Sequence, residues 1–256
     1  MLSSNLPTTY GIATAMRTYE GENTVMLLQT ARFLVKTWNQ VESNEITRLT
    51  PTVTYLADAL NNDNRRWEST PEGIIRAFKT VAAGKISASV ASMKGHMAAG
   101  KSLEDAWGLT TVQLVSAAEA HCRVVLAESY WLDTQRLSSA ASPNVRVVLC
   151  QLAELYLVYW VLEKTGDHFL YTSLSGQDVG VLQKRYEELL TLIRPNAVGI
   201  VDGFDLRDEM LLSTLGSYDG RVYERLMEEA MKSPLNAEPV NQSFHKYLKP
   251  FMQGKL

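Results

Sequence analysis

The strongest candidate for chemistry in this chain is a carboxylate followed by a glycine at the start of an apolar segment. Glu20 directly precedes Gly21, and a glycine lets the backbone turn sharply and approach a ligand closely. Backbone amides at the start of a helix favour the charged form of such a carboxylate, whereas apolar neighbours favour its protonated form. A carboxylate under these two influences can serve as a general base, so Glu20 is the candidate catalytic residue. The simpler alternative is that Glu20 caps the helix or interacts with the helix dipole.

The element that must position Glu20 is the helix that follows it. Apolar residues recur at helical spacing after Gly21, which predicts a helix over residues 22–39 with one buried face. That face consists of Leu27, Leu28, Ala31, Leu34, Val35 and Trp38. The candidate base therefore lies at the edge of a surface that the fold must bury.

The composition is that of a globular protein and excludes several classes of function. Hydrophobic residues make up 46% of the 256 residues, which is enough for a large core and argues against disorder. The chain has 28 acidic and 25 basic residues, for a net charge of −3, and its basic residues form no stripe interleaved with aromatic residues. Binding of nucleic acid is therefore not expected.

The cysteines and histidines do not have the spacing of a metal site or a disulfide framework. Cys122 and Cys150 form no CxxC pair, and the four histidines form no HExxH pattern. We therefore expect no metal site, and we expect both cysteines to be small buried side chains. His121 and Cys122 are adjacent, but neighbouring residues on a helix do not face each other, so a nucleophile–base pair is not expected.

Neither a leader nor a membrane span is predicted. The first residues lack the basic region and the apolar core of a signal peptide. The most apolar stretch, Val145–Leu162, carries Arg146 and Glu154 and is short for a bilayer span. We predict that it forms a buried helix.

The rest of the sequence predicts an all-α fold of antiparallel helices, since no strand pattern is present. Pro71 begins a helix that ends near Gly100, and Gly84 and Gly95 weaken its middle and permit a kink or a break. A sequence that resembles a capping box at Thr110 predicts the start of a helix that ends near residue 135. Further helices are predicted over 143–164, 177–192, 218–231 and 240–252, with two short ones across 195–214.

The segment Tyr19–Leu34, which begins Tyr-Glu-Gly-Glu-Asn-Thr, resembles the signature of the peroxisomal acyl-CoA oxidases in the wider acyl-CoA dehydrogenase superfamily. The match is long and specific, and the resemblance covers nearly the whole chain. It returns at Ala118–Cys122, Leu189–Arg194, Val201–Asp205, Leu215–Glu224 and Lys232–Asn236. These segments resemble the C-terminal helical domains of that family.

The resemblance implies a reaction in which a base and FAD act together on an acyl-CoA. In the family, the base removes a proton next to the thioester carbonyl and a hydride moves to the flavin. O2 then reoxidises the flavin, and the products are a trans-2-enoyl-CoA and H2O2. Glu20 aligns with that base, and Gly21 aligns with the position whose backbone lies along the thioester.

A weaker part of the resemblance concerns the residues that follow the glycine. Glu22, Asn23 and Thr24 align with positions that lie against the flavin nucleotide in related dehydrogenases. Those enzymes usually have a threonine where this chain has Glu22.

The resemblance also implies how the chain is organised. Residues 1–60 would end the first helical domain, which carries the base and faces flavin and substrate. Residues 61–252 would form the C-terminal helical domain, and residues 253–256 would be a targeting tail. The upstream helical domain and β-domain that grip the flavin in the family have no counterpart here, so the sequence is similar to the C-terminal portion only.

The last three residues resemble a targeting signal. Gly254, Lys255 and Leu256 differ only at the first position from the Ser-Lys-Leu type of tripeptide that a peroxisomal import receptor binds. With the family resemblance, this implies a peroxisomal protein. The family also implies a homodimer.

Two alternatives to an oxidase remain open. The chain could be a non-catalytic helical module that docks on, or dimerises with, full-length subunits, because it lacks the flavin-gripping domains. It could also belong to an acyl-CoA dehydrogenase, which passes electrons to an electron-transfer flavoprotein in place of O2. The Glu-Gly-Glu-Asn sequence and the Gly-Lys-Leu terminus favour the oxidase over the dehydrogenase.

Overall fold

The computed structural model describes residues 2–19, 22–58, 65–138 and 140–254, and all regular structure in these ranges is helical. The prediction of an all-α fold is therefore confirmed. The α-helices are α1 (Leu6–Tyr19), α2 (Asn23–Glu42), α3 (Tyr55–Asp58), α4 (Pro71–Ala98), α5 (Leu103–Ser138), α6 (Pro143–Glu163), α7 (Thr165–Tyr171), α8 (Gly176–Ile193), α9 (Ala197–Asp202), α10 (Asp208–Leu211), α11 (Val222–Lys232) and α12 (Lys249–Met252). Short 3-10 turns occur at Leu2–Ser4, Ile46–Arg48, Pro51–Val53, Arg194–Asn196 and Pro234–Asn236, and a π-helical turn at Phe244–Leu248.

The chain separates into two compact units, one of residues 22–198 and one of residues 1–21 together with 199–256. In the larger unit, the long helices α4 and α5 pack along each other, and α2 and α6 pack against α5. Helix α8 packs against α6. The fully buried side chains at the centre of this bundle are Leu34, Leu56, Ile74, Ile86, Leu114, Val124, Leu157, Leu182 and Leu189.

Helix α4 begins as the sequence predicts and continues without a break. The hydroxyl of Thr70 accepts a hydrogen bond from the Gly73 backbone N–H at 3.1 Å, and Pro71 occupies the first turn. The break permitted at Gly84 does not occur. A Cβ at this position would lie 2.2 Å from Cδ1 of Tyr171, so Gly84 allows the aromatic ring to approach the helix backbone.

Helix α5 begins seven residues earlier than the sequence predicts. The hydroxyl of Ser102 accepts a hydrogen bond from the Asp105 backbone N–H at 3.1 Å and so caps the helix at this point. Thr110 is buried inside the helix, and its hydroxyl donates to the Ala106 carbonyl at 2.8 Å. The predicted start at Thr110 is wrong because Ser102 provides an earlier cap.

Helix α6 is apolar enough to be compared with a membrane span. By length and composition alone, it is the one helix in the described part of the chain that could cross a membrane. Its second half contributes Leu157, Val158 and Val161 to the core, whereas Val145 and Val147 in its first half are exposed. The prediction of a buried helix is therefore correct for the second half alone.

Hydrogen bonds join the N-terminal and C-terminal parts of the smaller unit. The Asn5 side-chain amide donates to the Leu211 carbonyl at 2.9 Å, and the Thr214 backbone N–H donates to the Ser3 carbonyl at 2.9 Å. Helix α11 begins at Val222, after a turn, and not at residue 218 as predicted. Among the side chains described in this unit, Ser4 alone is buried.

Candidate functional site at the start of helix α2

The residues predicted to contact the flavin lie at the start of helix α2, whereas the predicted base and the residue predicted to lie along the thioester fall outside the described residues. These two are Glu20 and Gly21. Glu22 is the N-cap residue of α2, with an extended backbone (φ −109°, ψ 155°) and no side-chain cap hydrogen bond. Asn23, the first helical residue, is exposed, and Thr24 is half-buried.

The sequence positions this end of α2 through the apolar face further along the helix. Ala31, Leu34 and Trp38 are buried at helical spacing and attach α2 to the core. The predicted buried face is therefore confirmed at these residues. Because the anchored part lies toward the middle of the helix, the first two turns remain open on one side.

A cavity of about 520 Å³ lies beside these first turns. It is formed by three helices of the larger unit: the start of α2, the middle of α5 and the end of α6. Its lining residues are Asn23, Met26, Leu27, Thr30, Glu119, Cys122, Arg123, Leu126, Tyr156, Trp160 and Lys164. Of the residues predicted to contact the flavin, Asn23 reaches this cavity.

Arg123 is the principal polar group of the cavity. Its guanidinium carbon lies 4.5 Å from the centre of the Trp160 ring, which is a cation–π contact. Its Nε is buried and has no hydrogen-bond partner among the described residues. Burial lowers the pKa of the guanidinium, and the nearby Glu119 opposes this effect. Such a cation, partly removed from water, gains by contact with an anion.

Aromatic rings form the wall next to this cation. Tyr156 and Trp160 meet edge to face with their centres 6.4 Å apart. Lys164, at the end of α6, adds a second positive charge to the lining. Among the described residues, the cavity thus offers two cations, Arg123 and Lys164, against the carboxylate of Glu119, together with flat apolar surfaces. This chemistry suits a molecule that joins a negatively charged group to a planar ring.

Cys122 and its neighbour His121 do not form a nucleophilic pair. Nδ1 of His121 lies 3.0 Å from the hydroxyl of Tyr55 in the core, whereas Cys122 lines the cavity. Burial raises the pKa of the Cys122 thiol, which keeps it protonated and weakly nucleophilic. Both cysteines are half-buried, so the expectation that Cys122 and Cys150 are small buried side chains is met only in part.

The sequence pattern does not mark Arg123, Tyr156, Trp160 or Lys164 as site residues. One signal was present, since an arginine on the apolar helix α5 is costly to bury without a partner. Nothing in the linear sequence indicates that Arg123 contacts Trp160, because these residues lie on different helices.

Of the three residues predicted to form a targeting signal, the structure describes the first. Gly254 is exposed and has a left-handed backbone (φ +64°), whereas Lys255 and Leu256 lie outside the described residues.

Comparison with protein families gives a match over most of the chain. A family model described as acyl-CoA oxidase matches residues 70–253. A second model, described as the C-alpha1 domain of acyl-CoA oxidase, matches residues 1–35.

Individual relatives agree with these matches. The chain is 46% identical over 254 residues to acyl-coenzyme A oxidase 1 of Drosophila melanogaster, with 99% of this chain and 38% of the relative covered. It is 41% identical over 264 residues to peroxisomal acyl-coenzyme A oxidase 1 of Rattus norvegicus, with 99% of this chain and 39% of the relative covered. The chain therefore spans less than half the length of these curated relatives.

Solved structures share the fold. Acyl-CoA oxidase-2 of Caenorhabditis elegans, bound with FAD, ascaroside-CoA and ATP, superimposes with a TM-score of 0.84 at 33% identity. That match covers 99% of this chain and 37% of the solved chain. Acyl-CoA oxidase 1 of Arabidopsis thaliana gives a TM-score of 0.82 at 28% identity, covering 100% of this chain and 39% of that chain.

Proposed function

Because the chain belongs to the acyl-CoA oxidase family, we propose that it forms the base-bearing C-terminal portion of a flavin-dependent acyl-CoA oxidase. The observation that carries this proposal is the segment Tyr19–Thr24, Tyr-Glu-Gly-Glu-Asn-Thr, whose last two residues begin helix α2. It lies in a chain whose matches to the family cover residues 1–35 and 70–253. The reaction would convert an acyl-CoA to its trans-2-enoyl-CoA and O2 to H2O2.

In this proposal Glu20 is the general base. Its carboxylate takes a proton from the carbon next to the thioester carbonyl, and the C–H electron pair becomes part of the new double bond. The backbone at Gly21 lies along the thioester, where a side chain would obstruct the substrate. When bound, FAD supplies the acceptor for the hydride that leaves the next carbon, and it passes the two electrons to O2.

The cavity beside α2 has residues that fit part of a flavin dinucleotide. Arg123 and Lys164 offer positive charge for phosphate groups, and the buried Nε of Arg123 lacks a partner among the described residues. Tyr156 and Trp160 offer flat surfaces for a ring. Together with Glu22, Asn23 and Thr24 at the start of α2, these residues would hold the cofactor, while upstream domains would supply the rest of its site.

Domain organisation, assembly and location follow the family in this proposal. Residues 1–60 end the domain that carries the base, residues 61–252 form the C-terminal helical domain, and residues 253–256 are a targeting tail. The names of the vertebrate relatives support a peroxisomal location, reached through a receptor that binds Gly254, Lys255 and Leu256. The full-length protein acts as a homodimer.

The base assignment is tested in a chimera in which this chain replaces the matching C-terminal part of the rat enzyme. We expect acyl-CoA-dependent release of H2O2, and a loss of about 100-fold or more in kcat on Glu20→Gln, since a general base contributes roughly that factor. Glu187→Gln, at an exposed carboxylate on α8, is the matched control and should retain activity. A loss smaller than about tenfold, roughly 1.4 kcal/mol, contradicts the role of Glu20.

A second candidate function is a non-catalytic helical module that docks on, or dimerises with, full-length subunits. It is favoured by the smaller unit, in which Ser4 is the one buried side chain among those described and large apolar side chains such as Tyr218 and Tyr223 are exposed. The chimera distinguishes the two candidates: if it stays colourless near 450 nm (roughly the flavin band) after incubation with FAD and releases no H2O2, this candidate is supported. A yellow sample that oxidises acyl-CoA excludes it.

A further inference from the structure

A second groove of about 570 Å³ lies on the larger unit, away from the start of α2. It is formed by the middle of α2, the end of α4 and the start of α5. Arg32, on its wall, is nine residues after Asn23, which is roughly 14 Å further along the helix axis. The two cavities have no lining residue in common.

The charge of this groove is mostly positive and is not neutralised by neighbours. Arg32 and Lys36 are exposed, lie one helical turn apart, and face the groove together. Neither forms an ion pair with any residue that the structure describes. Glu104 contributes one carboxylate to the lining. Two cations against one carboxylate leave a positive charge for a ligand.

The other surfaces of the groove are apolar. Met93 is buried, Trp107 is half-buried, and Leu103 is 59% exposed although it is a large hydrophobic residue. The guanidinium carbon of Arg32 lies 5.9 Å from the Trp107 ring centre, so the cation is held at the edge of this apolar surface.

We propose that this groove binds an anionic amphiphile, a small molecule with one negatively charged head group on an apolar body. The head group contacts Arg32 and Lys36, and the body covers Leu103 and Trp107. Exposed charge pairs contribute little affinity, whereas the affinity rises with each CH2 group that becomes buried. The apolar body therefore supplies most of the affinity and the head group supplies selectivity.

Decanoate is the probe, and decanol and acetate are its two matched controls. Decanol keeps the apolar body without the charge, and acetate keeps the charge without the body. Binding to the complete chain is measured by ligand-observed NMR titration. We expect saturable binding of decanoate, binding of decanol at least about threefold weaker, and no saturation by acetate in the same concentration range.

Variants of the groove locate the binding. The double substitution Arg32→Gln and Lys36→Gln should weaken the binding of decanoate by at least threefold and leave the binding of decanol unchanged. Leu103→Ala should weaken the binding of both ligands. Because Leu103 is exposed, we expect this variant to fold normally. Lys184→Gln, which removes an exposed charge on α8, should change neither.

Absence of saturable decanoate binding overturns the proposal, as does equal binding of decanol and decanoate. Decanoate binding that is unaffected by the paired Arg32 and Lys36 substitutions also overturns it, because the ligand then lies elsewhere. None of these measurements involves Glu20 or FAD, so the outcome is independent of the proposed oxidase function.

Discussion

His168 should make the larger unit sensitive to mild acid. Its side chain is 1% exposed and lies against two aromatic rings, with centres 6.0 Å from Trp67 and 5.4 Å from Phe78. Its Nδ1 is buried and finds no hydrogen-bond partner within the described ranges. Burial lowers the pKa of His168 from 6.5 to about 4, with the neighbouring Asp167 opposing this effect and Arg123 adding to it.

The sign of the effect follows from proton uptake. Between pH 6.5 and about 4, the unfolded chain binds a proton at this imidazole and the folded chain does not. The contribution of neutral His168 to the free energy of unfolding is therefore complete above pH 6.5 and is lost as the pH falls toward 4. Since each tenfold change in proton affinity is worth about 1.4 kcal/mol, the loss is about 3 kcal/mol. That is a large part of a typical stability of about 5–15 kcal/mol.

The measurement is urea unfolding of the chain and of His168→Leu, followed by circular dichroism at several pH values from 7 to 4. Leucine is similar in size and cannot bind a proton. The free energy of unfolding of the unsubstituted chain should fall by about 3 kcal/mol more than that of the variant across this range. Other titrating groups, including the buried His121, are present in both proteins and cancel in the comparison.

Ile86→Val is the control, because it loosens the core without removing an imidazole. It should lower stability by about 1 kcal/mol at every pH and keep the slope of the unsubstituted chain. If the curves for His168→Leu and the unsubstituted chain are parallel from pH 7 to pH 4, His168 is not held neutral by burial and the reasoning is wrong.

Two further predictions concern stability, and both are read by urea unfolding. Gly84→Ala should destabilise the chain by about 1–3 kcal/mol, because the new Cβ would lie 2.2 Å from the Tyr171 ring. Gly95→Ala is the control on the same helix. A Cβ at Gly95 meets open space, so this substitution should stabilise the chain by about 0.5–1 kcal/mol. Equal effects at the two glycines would contradict the close contact with Tyr171. Arg185→Gln should lower the free energy of unfolding by about 1 kcal/mol, because Arg185 donates two hydrogen bonds of 2.7 Å to Glu154 and so joins α8 to α6. Arg48→Gln is the control, because Arg48 forms an exposed pair with Glu45, three residues away in the chain. It should lower the free energy of unfolding by less than about 0.5 kcal/mol. A smaller loss at Arg185 than at Arg48 would show that the link between the helices contributes nothing.

Local signals in the sequence predicted most of the helices of the larger unit. Helix α2 follows from the periodicity of Leu34 and its neighbours, and α4 follows from the Thr70 cap before Pro71. The start of α5 was misplaced because the prediction rested on the capping-box pattern at Thr110, whereas Ser102 caps the helix and Thr110 is buried inside it. Sequence pattern alone does not decide which of them the tertiary structure buries.

The candidate site could be predicted in part for a related reason. Glu20 and the residues after it belong to one continuous segment, so their order in the chain carries the signal. The cavity beside them depends on Arg123 of α5 meeting Trp160 of α6, which is a consequence of helix packing. The kink or break that the sequence permitted at Gly84 is absent for a similar reason. A glycine is needed at this position because the Tyr171 ring packs against the helix backbone, which the sequence pattern does not show.

The near absence of buried side chains in the smaller unit has a consequence for folding. Ordering each residue costs about 1–2 kcal/mol of conformational entropy, and hydrophobic burial is the main term that offsets this cost. With Ser4 as the one buried side chain described there, residues 2–19 and 199–254 gain little of that term from one another. Burial of side chains therefore contributes little to holding these helices in place, and hydrogen bonds such as that from Asn5 to the Leu211 carbonyl carry a larger share of their stability.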